Sequence, residues 1–211
     1  MTRAAAIAAA IAAVAAPRAA RADAQEASIH VELLAGRIAV ADPGVDRPAA
    51  SAAAGGVGVR ATLATHDAFA YELAVRILQG GDVRYGGVAI GGREGELSRT
   101  PRAFRAAGGL TLRLGARTIP TVSVWAGGQL RTASGGRIVE PSTGAVVGDI
   151  GGATATDVVA GGSLGFDYRI DRHWIVGIAA GGGAAIWSSA GSYREITALA
   201  HVSYYGYPRW F

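Results

Sequence analysis

The chain contains no cysteine, which excludes disulfides, thiolate metal sites and lipid attachment through an N-terminal cysteine. Lysine and asparagine are also absent, so every one of the 20 basic side chains is an arginine. These arginines are scattered along the sequence rather than gathered in a stripe, which argues against nucleic acid as a partner. Of the formal net charge of +4, the first 24 residues carry Arg3, Arg18 and Arg21 against Asp23, or +2, and leave +2 for the remainder. Beyond those residues no apolar run approaches the roughly 20 residues that a membrane-spanning helix needs. If this chain crosses a bilayer, it crosses with strands.

What is present begins with a leader. Met1 to Arg3 supply a short positive start, Ala4 to Ala16 an Ala/Ile/Val run, and Ala22-Asp23-Ala24 the small residues that a signal peptidase accepts. The pattern predicts a signal peptide over 1–24 and a mature domain over 25–211, starting near Gln25. Export follows from it.

The mature region alternates with a period of two. In FAYELAVRI, Phe69, Tyr71, Leu73, Val75 and Ile77 share one face, and Ala70, Glu72, Ala74 and Arg76 the other. The same alternation sets Val57, Val59, Ala61 and Leu63 against Gly58, Arg60 and Thr62, and Leu110, Leu112 and Leu114 against Thr111 and Arg113. It recurs with Leu164, Phe166 and Tyr168 against Ser163, Asp167 and Arg169, and with Ile196, Ala198, Ala200, Val202 and Tyr204 against Glu195, Thr197, His201 and Ser203. Eight strands are predicted near 28–40, 55–64, 68–78, 103–114, 119–131, 157–169, 173–187 and 193–205. Tight turns at Thr65–Asp67, Gly115–Thr118 and Asp171–Arg172 alternate with long segments at 41–56, 79–102 and 132–156 and a shorter one at 188–192. The fold class is therefore all-β: an antiparallel up-and-down transmembrane barrel, with short periplasmic turns and longer external loops. VRYGGVAIGG and RIVEPSTGAVVGDI read either as strand extensions or as extra hairpins. A secreted soluble ligand-binding barrel, with the apolar face turned inward, is the alternative.

Aromatic side chains are few, and their placement is informative. Phe69, Tyr71, Phe166, Tyr168, Trp174 and Tyr204 fall near the periplasmic strand ends in the outward phase, as a headgroup-level girdle requires. Tyr85, Phe104, Trp187 and Tyr193 fall toward the opposite rim. Glycine pairs inside strands at 108–109, 127–128 and 161–162, and the triplet at 181–183, suit a small barrel that curves sharply and leaves room for bulky inward side chains. GGREGE lacks the strand–loop–helix setting and Gly-Lys-Ser/Thr ending of a phosphate loop.

Chemistry, if any, belongs to the polar interior. Arg60, Glu72 and Arg113 are expected to form an inward cluster plugging the lower barrel, because a charge facing lipid costs about 2–4 kcal/mol at the midplane. Eight strands enclose little more than their own side chains, so no open pore is expected. His66 and His173 sit at turns. His30 and His201 fall on the first and last strands, which a closed barrel makes neighbours, but two histidines without a third ligand make no metal site. No cofactor and no catalytic residue is assigned. On the second long segment Arg84, Arg93, Arg99 and Arg102 are candidate contacts for outer-leaflet phosphates.

Leader, eight alternating runs, aromatic girdles and a terminal Phe211 together resemble the small bacterial outer-membrane barrels of the OmpA/OmpX type. That resemblance implies an outer-membrane location, a structural or surface-interaction role without enzymatic activity, and assembly by the outer-membrane insertion machinery with Phe211 as signal. It further implies contact with outer-membrane lipid and lipopolysaccharide, and with an extracellular ligand through the loops. Phe211 shares phase with Tyr205, Tyr207 and Arg209 rather than with Tyr204, which a bulge at Gly206 or Pro208 would reset. His201 and Ser203 resemble the His-x-Ser pair of outer-membrane lipid A deacylases, with no following Glu to match. A lipid-modifying enzyme or a conduit for small hydrophobic molecules is the alternative function.

Overall fold

The computed structural model describes residues 26–66 and 68–206; the leader, Asp67 and Phe211 lie outside the described residues. Twelve strands appear in the described residues: β1 (Glu26–Val40), β2 (Ala50–His66), β3 (Phe69–Gly80), β4 (Val83–Ile90), β5 (Arg93–Arg99), β6 (Pro101–Arg113), β7 (Thr118–Ala133), β8 (Gly136–Val139), β9 (Val146–Ile150), β10 (Ala153–Arg169), β11 (Trp174–Ser188) and β12 (Tyr193–Gly206). Eight of them close into a barrel in the order β1-β12-β11-β10-β7-β6-β3-β2. Every neighbouring pair is antiparallel, and β1 completes the circuit by pairing with β12 from Ala27↔Gly206 to Val40↔Tyr193. Closure removes the free edges that would leave backbone groups unsatisfied in lipid.

The polarity is inverted relative to a soluble barrel. Ile196, Ile186 and Leu164 stand 75%, 70% and 66% exposed on the outside, while Glu32, Asp157 and Arg105 are buried within. A water-soluble barrel would do the opposite, so the alternative of a secreted ligand-binding barrel does not hold. Only a bilayer makes an outer wall of Ile, Leu and Val and an inner wall of charge stable together.

The two ambiguous segments are extra hairpins. β4–β5 and β8–β9 leave the barrel wall and join through Glu96↔Val139 and Leu97↔Ile138 into a four-stranded sheet at the long-loop end. Leu97, Ile138, Val83 and Val88 are buried beneath it, in one cluster with Ile38, Val40, Ala52 and Trp125 from the barrel mouth. The sheet thus sits on the barrel as a lid with its own apolar core. Tyr85 belongs to that core instead of the outer girdle: it is buried and its hydroxyl donates to the Val40 carbonyl at 3.1 Å. Burial, reinforced by the Asp42 carboxylate, pushes its phenol up to about 12.

Paired glycines make room inside, as expected of a narrow barrel. A Cβ on Gly161 would collide with Trp125 Cζ2, and one on Gly183 would lie 2.5 Å from Trp125 Cη2. The indole therefore lies across β10 and β11 where neither strand has a side chain. Gly183→Val should cost about 1–3 kcal/mol by overpacking, read as a lower urea midpoint in detergent micelles. The double variant Gly183→Val/Trp125→Leu should recover part of that loss; a single variant as stable as the wild type would contradict this packing.

Candidate functional site

The lumen is a column of paired charge, and each pair follows from register. Glu72 on β3 and Arg60 on β2 both point inward, and Arg60 Nη1 donates to Glu72 Oε2 at 3.1 Å. Arg60 Nε also lies 2.9 Å from Glu32 Oε1, and Arg76 Nε donates to Glu32 Oε2 at 2.7 Å. Thr111 completes this layer, donating to Glu72 Oε2 at 2.7 Å.

Arg113 does not join it. Its Nη1 donates instead to Glu26 Oε2 at 2.7 Å, and Arg169 holds the other Glu26 oxygen at the same distance. The reason is register: Glu72 pairs with Gly109, which leaves Arg113 four residues farther along β6, about 13 Å at the usual strand rise. The expected Arg60–Glu72–Arg113 cluster is therefore two layers, Glu32/Arg60/Arg76/Glu72 above Glu26/Arg113/Arg169.

Toward the lid a third layer centres on Arg105. Its Nη1 and Nη2 donate to the two Glu195 oxygens at 2.6 and 2.7 Å, and Gln129 accepts from Nε and Nη2 at 3.1 and 2.7 Å. The guanidinium also stacks 4.7 Å from the Trp125 ring. Tyr193, expected at the outer girdle, is buried here and donates its hydroxyl to Glu195 Oε2 at 2.6 Å. It falls in the inward phase of β12, together with Glu195. Higher still, Arg131 pairs with Asp157 at 2.7 Å and Arg99 with Asp42 at 2.9 Å.

Charge balances across the column. Among the described residues, Glu26, Glu32, Glu72, Asp157, Asp167 and Glu195 oppose Arg60, Arg76, Arg105, Arg113, Arg131 and Arg169, six against six. A lumen this narrow contains no bulk water to solvate an odd charge, so its acids and bases must match.

The histidines meet as closure requires: the His30 and His201 rings lie 5.1 Å apart, edge to face. Ser203 is fully buried and bonds His30 Nδ1, whereas His201 Nε2 lies 3.3 Å from Asp167. Ser203 and His201 therefore go to different partners, and neither reaches the barrel surface. The remaining partners of His30 are Ser28, at 2.8 Å, Thr62, and Arg60, whose Nη2 donates to Nδ1 at 3.3 Å. No group of three or more His, Cys, Asp or Glu suited to a metal occurs among the described residues.

At the rims, Tyr71, Phe166, Tyr168, Trp174 and Tyr204 face outward and are well exposed, and Phe69 is half-buried at the same end. Trp174 and Tyr204 meet edge to face at 5.3 Å, and His173 stacks on Tyr204 at 5.7 Å. At the adjoining turn Asp171 Oδ1 accepts from the backbone N–H groups of His173 and Trp174, which hold its carboxyl below the usual range. At the other rim Phe104 and Trp187 face outward. Of the loop arginines, Arg84, Arg93 and Arg102 are exposed. Arg99 is not available to a lipid phosphate, because it is buried on Asp42 and on the Gly151 carbonyl. It ends β5 at the base of the lid, where an unpaired Asp42 would otherwise be buried.

Removing one member of a buried pair leaves the other uncompensated, which costs about 3–5 kcal/mol. Glu195→Leu should lose that much in urea unfolding of the micelle-bound barrel. Arg105→Met/Glu195→Leu should lose clearly less than Glu195→Leu alone. Simple addition of the two single losses would contradict the pairing.

No family model matches the chain, and no curated protein sequence is detectably similar to it. Solved structures do share its fold. Neisserial surface protein A is 10% identical over 84% of this chain and 96% of that one, with a TM-score of 0.52. The outer membrane protein OprG from Pseudomonas aeruginosa is 12% identical over 88% of this chain and 98% of that one, also with a TM-score of 0.52. With its apolar wall outward, its charges paired within and its strand circuit closed, the chain is an integral membrane β-barrel with the eight-stranded fold of bacterial outer-membrane proteins.

Proposed function

We infer that this outer-membrane barrel works through its outer surface and not through its lumen. The observation that carries the reading is the four-stranded sheet, ordered by its own apolar core, over a lumen filled by charge pairs. A filled lumen passes nothing, while a folded lid presents a fixed surface at the loop end. That surface carries Arg84, Arg93 and Arg137 among Glu94, Glu96 and Asp149, a mixed charge pattern suited to polar ligands on other cells or in the surrounding medium. Arg102, in the outward phase of β6 beside Phe104, stands at headgroup level and suits phosphate contacts there. The leader at 1–24 supports delivery by secretion, and Phe211 supports recognition by the insertion machinery.

Purified barrel in planar bilayers should show no stepwise conductance. An epitope inserted at the Gly91–Gly92 turn, where both residues have positive φ, should be detected on intact cells. Conductance steps, or an epitope reachable only after lysis, would contradict this reading.

A further inference from the structure

The outer wall is not uniform. Along β1, β12 and β11 the lipid-facing row Ala35↔Ala198↔Ala180 lies beside Leu33↔Ala200↔Ile178. Four alanines thus form the floor of a shallow trough, with Leu33, Leu164 and Ile178 as its walls and a volume of about 700 Å³. A second outward row of small residues, Ala106↔Gly128 and Gly108↔Ala126, crosses β6 and β7, between larger side chains such as Leu73, Val124 and Leu110. Lipid tails fill any surface they meet, but a trough of this size selects one chain over its neighbours by contact area.

Beyond the trough, toward the loop end, stand Arg37 in the next row, beside Ile196, and Arg194 one row farther. Arg37 pairs with Ile196 and Ala39 with Arg194, which makes the two arginines diagonal neighbours, roughly 7–8 Å apart at Cα. Both are exposed in the outward phase of their strands. Neither makes an ion pair or a side-chain hydrogen bond among the described residues. The lumen meanwhile pairs every arginine it holds. Across the wall at the loop end, the outward-phase residues in register with Arg102 of β6 are Gln79, Thr132 and Thr154 on β3, β7 and β10. Outward positive charge is therefore concentrated on the β1–β12 side, above the trough.

We propose that Arg37, Arg194 and the alanine trough form a lipid-binding site for a phosphorylated, multiply acylated glycolipid of the outer leaflet, of the lipid A type. The two guanidinium groups hold headgroup phosphate by charge-assisted hydrogen bonds, and one acyl chain lies along Ala35, Ala198 and Ala180. Long arginine stems reach up to the headgroup plane from strands that are otherwise apolar. Charge and trough each fit half of such a molecule, and they are adjacent and in the right order with depth. The site rests on the membrane-barrel reading above.

The test is native mass spectrometry of the full barrel in detergent, titrated in turn with bisphosphorylated lipid A, dephosphorylated lipid A and phosphatidylglycerol. The wild type should retain bisphosphorylated lipid A at least tenfold better than either of the others. Arg37→Gln/Arg194→Gln should abolish that preference, and Ala198→Leu should weaken retention of both forms of lipid A. Equal retention of the dephosphorylated form, a preference for phosphatidylglycerol, unchanged binding in the double variant, or a lipid-free dimer occupying the trough would each overturn the site. The same samples run boiled and unboiled on a gel separate the two levels. A wild type with no heat-dependent mobility shift would sink the barrel reading itself, whereas a preserved shift without lipid preference would sink only the site.

Discussion

Pairing of charge in a space without bulk water is the constraint on which the rest of this barrel depends. Eight strands close on a lumen just wide enough for side chains, and the bilayer outside takes only apolar groups. Each ionised residue must then face inward and find a partner there. Glu32 shared between Arg60 and Arg76, Glu26 shared between Arg113 and Arg169, and the Arg105–Glu195–Gln129 layer are three solutions to that one requirement. Small residues follow from the same constraint. Gly58 faces the Arg76 stem, Gly109 faces Glu72 and Gly177 faces Asp167 and His201, so strand positions opposite the charged side chains give up their own Cβ.

A lumen filled in this way shifts function to the exterior. Two exterior features are unlike a plain barrel: the folded sheet over the mouth and the arginine-topped trough on the β1–β12 wall. They point in different directions, one toward the medium and the other into the surrounding lipid. Both are built from residues that the lumen does not use, which lets either vary without disturbing the charge balance inside.

Much of this architecture was legible in the sequence, because a period of two separates inward from outward residues unambiguously. Strand limits at 103–114 and Pro101–Arg113, or at 193–205 and Tyr193–Gly206, differ by two residues at most. What periodicity does not carry is shear. Arg113 has the right phase to meet Glu72, but its depth depends on how β3 and β6 slide past one another, and that is set by closure of the whole circuit. Glu26 carries no such signal, because it precedes the first clear alternation. Tyr193 has the depth of an outer-girdle residue, whereas its phase, shared with Glu195, places it inside. Tyr85 and Arg99 depend on the lid, whose core joins residues from both sides of β6 and β7 and leaves no local signature.

Alternate residues of one strand face lipid and a charge-paired lumen. A chain without cysteine permits a direct measurement: single nitroxide labels at Leu73→Cys and Ala74→Cys, with the barrel reconstituted in phosphatidylcholine vesicles. Power-saturation spectroscopy should find the label at 73 accessible to oxygen and closed to a water-soluble nickel chelate, and the label at 74 immobile and closed to both. A label at 74 accessible to oxygen, or one at 73 open to the chelate, would contradict the inside-out barrel.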